Sequence, residues 1–346
     1  MEKVLLKKDL NSWAGKLGSY DIYAPFKSGD VWGYELMENQ AEITLDYPNT
    51  AIPPKKILFP QREVLFEFEA TQEGGMEIRE VLPDDTPKII FGVRSCDARG
   101  LAKLGKISQG GIEDVYFTRR RNQTVIAGLA CHNPPSPYCF CTSVGGSPHS
   151  LEGMDILMTD LGDAYYLESV TEEGVKLMGS AEGIVTDPDD KQKADKEKIH
   201  SDSEKKILLD ISDMEKINEA LSEIFDTGLW DRESLSCLRC GICTFSCPVC
   251  HCFDVNDEII RTHPLKGKRV RTWDNCQFPD FTMHSSGHNP RSDKASRLRQ
   301  RVMHKFRYFN ENCEEFLCTG CGRCIEKCPV GIDIVEVLEK AKTYEK

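Results

Sequence analysis

Two stretches carry the same cysteine figure. Cys237, Cys240, Cys243 and Cys247 are closed by Pro248, and Cys318, Cys321, Cys324 and Cys328 by Pro329. Thiolates three residues apart on a tightly turned loop can reach three corners of one iron–sulfur cubane; the fourth cysteine of such a run serves a different cube. On that rule Cys237, Cys240 and Cys243 are joined by Cys328, and Cys318, Cys321 and Cys324 by Cys247. The sequence therefore predicts two [4Fe–4S] clusters with crossed fourth ligands. The prolines turn the chain away, and Gly241, Gly320 and Gly322 let backbone amides come close to the sulfides. Zinc sites more often draw on two pairs of ligands than on three plus a crossing fourth.

Half of the sixteen cysteines lie outside these runs. Cys96 follows an apolar run at 88–93, Cys131 follows another at 124–129, and Cys139 and Cys141 form a Cys-x-Cys pair just beyond. If the two runs are parallel neighbouring strands, Cys96 and Cys131 emerge at one edge of one sheet, where open α/β sheets place ligands. The Cys-x-Cys pair can fold back onto that edge, and four thiols there would hold a third iron–sulfur cluster. Buried structural thiols and a zinc site are the alternatives. Cys250, Cys252 and Cys276 lie beside the first run or between the two, either as ligands, as reactive thiolates or as simple packing. Cys313 reads as structural.

The elements that must position these residues divide into two kinds. Residues 1–205 read as α/β, with strands expected at 56–60, 63–69, 88–93 and 124–129 and a hairpin over 155–168. Residues 186–206 are almost wholly polar, an exposed linker or a helix turned to solvent, with a domain boundary near 205. From 207 to 346 the pattern becomes helical, at 211–225 behind a Ser212 or Asp213 cap, at 293–309 and at 333–343. The fold expected is an α/β N-terminal domain followed by an α-helical ferredoxin-like domain carrying the two clusters.

Composition narrows the function. The net charge of −12 argues against non-specific nucleic-acid binding. Between 260 and 310, however, twelve Lys or Arg face only three Asp. Lys266, Lys268, Arg269, Arg271, Arg299 and Arg301 are candidates to surround the anionic clusters and raise their potentials, against the plainer reading of a solvated or partner-facing surface. No run of 18 apolar residues is present, so no membrane span is expected, and the first residues do not read as a signal peptide. A cytoplasmic home follows, where cysteines are more often ligands than disulfides. There is no Gly-x-Gly-x-x-Gly and no P-loop sequence. The chain thus reads as a conduit for electrons rather than the place where they start or finish.

Seventy residues separate Cys247 from Cys318, unlike compact two-cluster ferredoxins. That arrangement resembles the helical ferredoxin domains of succinate dehydrogenase iron–sulfur subunits and heterodisulfide reductase. Taken together, FGVRSCDARG, LACHNPPSPYCFCTSVGG, CLRCGICTFSCPVCHCFDV, TWDNCQFPDF, GHNPR and CTGCGRCIEKCP resemble the beta-subunit family of cytoplasmic sulfhydrogenases, across about residues 50–335. They are also similar to the beta partner of flavin oxidoreductases linked to heterodisulfide reductase and, more distantly, to the A subunit of anaerobic sulfite reductase. The resemblance implies a dicluster protein relaying electrons between a gamma-type subunit that holds FAD and NAD(P) and a hydrogenase, heterodisulfide reductase or sulfite reductase subunit. It also implies that the N-terminal cysteines and Cys250, Cys252 and Cys276 belong to the family pattern, and that Cys313 does not. It assigns no catalysis to this chain. Two other readings stand beside it: a sulfur or polysulfide reductase acting through Cys250, Cys252 or Cys276, and a zinc scaffold.

Overall fold

Apolar residues on both sides of a strand demand cover on both faces, and two such strands sit at the centre of the molecule. The computed structural model describes residues 1–37 and 42–344. Within these the strands are β1 (Glu2–Leu6), β2 (Asp21–Ser28), β3 (Val31–Leu36), β4 (Arg62–Ala70), β5 (Met76–Glu80), β6 (Lys88–Arg94), β7 (Thr124–Leu129), β8 (Ile156–Asp160), β9 (Ala164–Ser169), β10 (Val185–Thr186), β11 (Phe253–Thr262) and β12 (Leu265–Trp273). Eight form one sheet in the order β10-β1-β9-β8-β7-β6-β2-β3. The β2, β6, β7 and β8 pairings are parallel.

Every residue of β6 and β7 is buried. In β6, Ile89 and Phe91 face a core with Trp13, Leu45 and Leu177. Ile90 and Val93 face the opposite core with Leu58, Leu101, Leu104 and Phe117. Gly92 has φ +74° where the register slips between Phe91 and Val93. Its carbonyl accepts hydrogen bonds from the Tyr34 and Tyr47 hydroxyls at 3.1 and 2.5 Å.

The hairpin expected over 155–168 is present as antiparallel β8 and β9. The strand expected at 56–60 is instead a one-turn helix, Lys55–Leu58. Pro53 and Pro54 precede it and Pro60 follows; an apolar run so short has no periodicity to tell the two states apart. The polar stretch before 206 is a helix, Asp190–Lys205, opened by a capping box between Asp189 and Gln192.

The expectation of a wholly helical region from 207 onward is corrected. β11 and β12 lie inside it and form a four-stranded sheet, order β11-β12-β4-β5, with strands from residues 62–80. The smaller sheet therefore uses chain from both sides of position 205. The remainder of that region is helical, with Met214–Glu223, Leu229–Ser234, Lys294–Met303 and Ile334–Lys342 around a core of Ile217, Leu221, Trp230, Val302, Phe306 and Leu338. Among the described residues no helix is long and apolar enough to cross a membrane.

Candidate iron–sulfur centres

Each cysteine figure is a loop ending in one helical turn, Ile242–Phe245 or Arg323–Glu326. Gly241 and Gly322 occupy the cap positions with φ near +76° and +71°, a region closed to most side chains. Two adjacent cavities lie between the figures. The first is lined by Cys237, Cys240, Cys243 and Cys328. The second is lined by Cys247, Cys318, Cys321 and Cys324. Thus each run sends its last cysteine to the cavity built by the other run. Cys324, Arg301 and Ile334 line both cavities and form the wall between them.

Only part of the basic stretch faces these thiols. Arg301 donates to the Cys243 carbonyl at 2.8 Å and lies 3.6 Å from the Cys250 sulfur. A π-helical turn, His304–Tyr308, carries Lys305 inward, where its ammonium stands 3.2 Å from the Cys247 sulfur. Hydrogen bonding from Cys250 and the positive charges of Lys305, Arg301 and Lys55 hold the Cys247 thiol well below its ordinary pKa despite burial. The other candidate cations are corrected. Lys266 pairs with Glu69, Lys268 with Glu67, Arg269 with Asp257 and Arg271 with Glu63 and Asp114, all in or beside the smaller sheet. Arg299 pairs with Asp226. A strand rather than a helix carries residues 265–273, so those cations meet carboxylates on β4 and β11 instead of the clusters.

The N-terminal thiols converge as the sheet topology requires. β6 and β7 are parallel neighbours, so Cys96, in the first turn of helix Ser95–Gln109, and Cys131 leave the same sheet edge. The Pro148 carbonyl ties those ends together, accepting from the Cys131 amide at 2.9 Å and the Ser95 hydroxyl at 3.0 Å. The Cys-x-Cys loop folds back to this edge. Burial pushes the Cys139 and Cys141 thiols up to about 12, and neighbouring Cys131 adds to the rise in both.

This third group touches the second figure. The Phe140 amide donates to the Gly320 carbonyl at 2.8 Å, and the Cys139 sulfur lies 3.9 Å from the Cys321 carbonyl oxygen. A Cβ at Gly320 would come within 2.5 Å of the Cys141 backbone, so only glycine permits the contact. Beside it Arg323 and Asp97 form a fully buried ion pair at 2.6 and 2.7 Å. Both were missed in the sequence, although each is next to a cysteine, Cys324 or Cys96. A charge embedded in a cysteine-rich segment was the available signal.

Cys250, Cys252 and Cys276 lie near the first figure. The Cys276 sulfur is 3.5 Å from both the Thr244 hydroxyl and the Gln277 side-chain amide. Cys313 packs with Cys247, Val249, Phe309 and Leu317. No disulfide joins any of the sixteen cysteines.

Among the described residues no three or more His, Cys, Asp or Glu side chains close on a single metal ion; the thiols ring cavities instead. Neither cavity has an imidazole or carboxylate in its lining. Four thiolates around one cavity are the donor set of an iron–sulfur cube, and the residues fit it. Such a group supplies a one-electron redox couple when bound. Burial raises the pKa of Cys318, Cys321 and Cys324, so metal uptake there displaces protons.

The geometry defines an iron–sulfur protein of the electron-transfer class. A 4Fe–4S dicluster domain matches residues 236–332. Sulfhydrogenase 2 subunit beta of Pyrococcus furiosus is 32% identical over 324 residues, covering 93% of this chain and 92% of that protein. The chain belongs to the sulfhydrogenase beta-subunit family. No solved structure matches it.

Proposed function

We propose that this chain is the electron-transfer iron–sulfur subunit of a multi-subunit redox complex. It relays electrons between a gamma-type subunit holding FAD and NAD(P) and a hydrogenase or heterodisulfide-reductase-type partner. The observation that carries this reading is the exchange of fourth cysteines between two adjacent cavities. Cys237, Cys240, Cys243 and Cys328 hold one [4Fe–4S] cluster, and Cys318, Cys321, Cys324 and Cys247 the other. Cys96, Cys131, Cys139 and Cys141 hold a third.

The arrangement supports a path through the chain. Cys240 is exposed at the first cavity, and Arg301 lies between the first and second. The Phe140–Gly320 contact joins the second to the N-terminal thiols. A cleft lined by Arg94, Ala130 and His132 then opens at the carboxyl edge of the sheet. Residues 1–205 act as the α/β unit of this path and 207–346 as the dicluster unit.

The test uses anaerobically purified chain with and without its flavin partner. Iron near twelve per chain is expected with all three clusters. Reduced nicotinamide should bleach the clusters only when the flavin partner is added. Turnover of polysulfide by the lone chain with reduced viologen would favour a reductase in its own right, and zinc without labile sulfide would end the proposal.

A further inference from the structure

Cys252 and Cys276 flank the two-stranded ribbon of β11 and β12. Phe253 and Trp273 are register partners at its base, and the Asp274 amide donates to the Cys252 carbonyl at 3.0 Å. Cys252 thus leaves one strand where the chain toward Cys276 leaves the other. The two thiols are close enough to shift each other's proton affinity, Cys252 upward and Cys276 downward. Neither belongs to a cavity-lining ligand set. Further donors reach Cys276 from Thr244 and Gln277 at 3.5 Å. Thr244 follows Cys243, a thiol of the first cavity, so the pair sits one residue from a cluster ligand. Cys250 interacts first with Cys247 of the second cavity rather than with either member of this pair.

We propose that Cys252 and Cys276 are a redox-active dithiol–disulfide pair exchanging two electrons with the neighbouring clusters, an inference that rests on the electron-relay reading. In the oxidising direction two S–H bonds break and one S–S bond forms. Two protons pass to solvent, which reaches both half-buried residues. Two electrons leave singly, one to each of the two oxidised cubanes of the cysteine figures. Reduction reverses every term. The pair matches a two-electron donor such as a nicotinamide or flavin to one-electron carriers.

The test uses the full chain with its clusters, poised anaerobically with thionin or with dithionite. Free thiols are alkylated in acid denaturant, disulfides are then reduced and labelled with a second alkylator, and peptides are read by mass spectrometry. Iron and labile sulfide are measured on the same samples. The expected result is second label on Cys252 and Cys276 after thionin and first label on both after dithionite. Cys252→Ser should leave iron and sulfide unchanged and Cys276 in the first label at both potentials. Two thiols that stay free after thionin overturn the proposal. A loss of about four irons in Cys252→Ser or Cys276→Ser also overturns it, because the residues would then be ligands. Wild-type chain lacking iron and labile sulfide overturns the relay reading itself, whatever the labels show. Should Cys252→Ser fail to fold, the wild-type labelling still decides.

Discussion

The two cysteine figures share spacing, glycine caps and prolines, yet their surroundings differ. At the first, Cys240 is exposed and its neighbours Leu235 and Leu238 are 78% and 62% exposed. At the second, Cys321 is buried, Gly320 packs on the Cys141 backbone and Arg323 is locked to Asp97. The first figure is open to the surroundings of the chain. The second is packed against the chain's own Cys-x-Cys loop. Identical local geometry is therefore set in different surroundings, and the difference lies in what packs around each loop.

Cys321→Ser is expected to remove about four irons and to unfold much of the chain, since cluster binding there is also folding energy. Cys240→Ser should also remove about four irons but leave the unfolding midpoint nearly unchanged. Iron analysis beside thermal denaturation separates the two; equal losses of stability would erase the distinction. Next in size, Asp97→Ala leaves the Arg323 guanidinium buried without its partner, at a cost of about 3–5 kcal/mol. Denaturant unfolding of the cluster-loaded chain measures it.

Charge sharpens the same contrast. Arg301 lines both cavities and Lys305 only the second. A buried cation favours the reduced, more negative cluster. Arg301→Gln should therefore lower both reduction potentials and Lys305→Gln mainly that of the second, read by potentiometric titration with paramagnetic resonance. The smallest expected effect concerns the α/β side. His200 stacks on His149 with ring centroids 4.2 Å apart and accepts or donates a hydrogen bond to Thr159 at 2.9 Å. Burial, with His149 and Lys196 adding, lowers its pKa to about 4. Unfolded chain binds this proton near pH 6.5, so stability is full above that value and falls as pH drops toward 4. Hydrogen exchange in helix 190–205 should speed up over that window while the first figure is unaffected, and His200→Gln should flatten the response.

Strands were legible where burial alone dictates them. The runs at 88–93 and 124–129 are apolar on both faces and lie in the middle of the sheet, so their parallel pairing brought Cys96 and Cys131 to one edge as expected. The ribbon at 253–273 was not legible because β12 finds its second partner, β4, about two hundred residues upstream. Its alternating cations look like a solvated or cluster-facing surface until Glu63, Glu67 and Glu69 are placed opposite. Arg301 was visible as a candidate cation, but nothing in the sequence distinguished it from Arg299, two residues away on a different face of the same helix.

The sequence by itself determined the thiolate donors, because the reach of three thiolates on a tight turn depends only on local spacing. Tertiary structure alone decided which cations face those thiolates, which figure is exposed, and that the Cys-x-Cys loop abuts the second figure. Those outcomes depend on contacts between segments far apart in the chain, and a buried charge or a closely approached glycine has no local signature until its partner is in place.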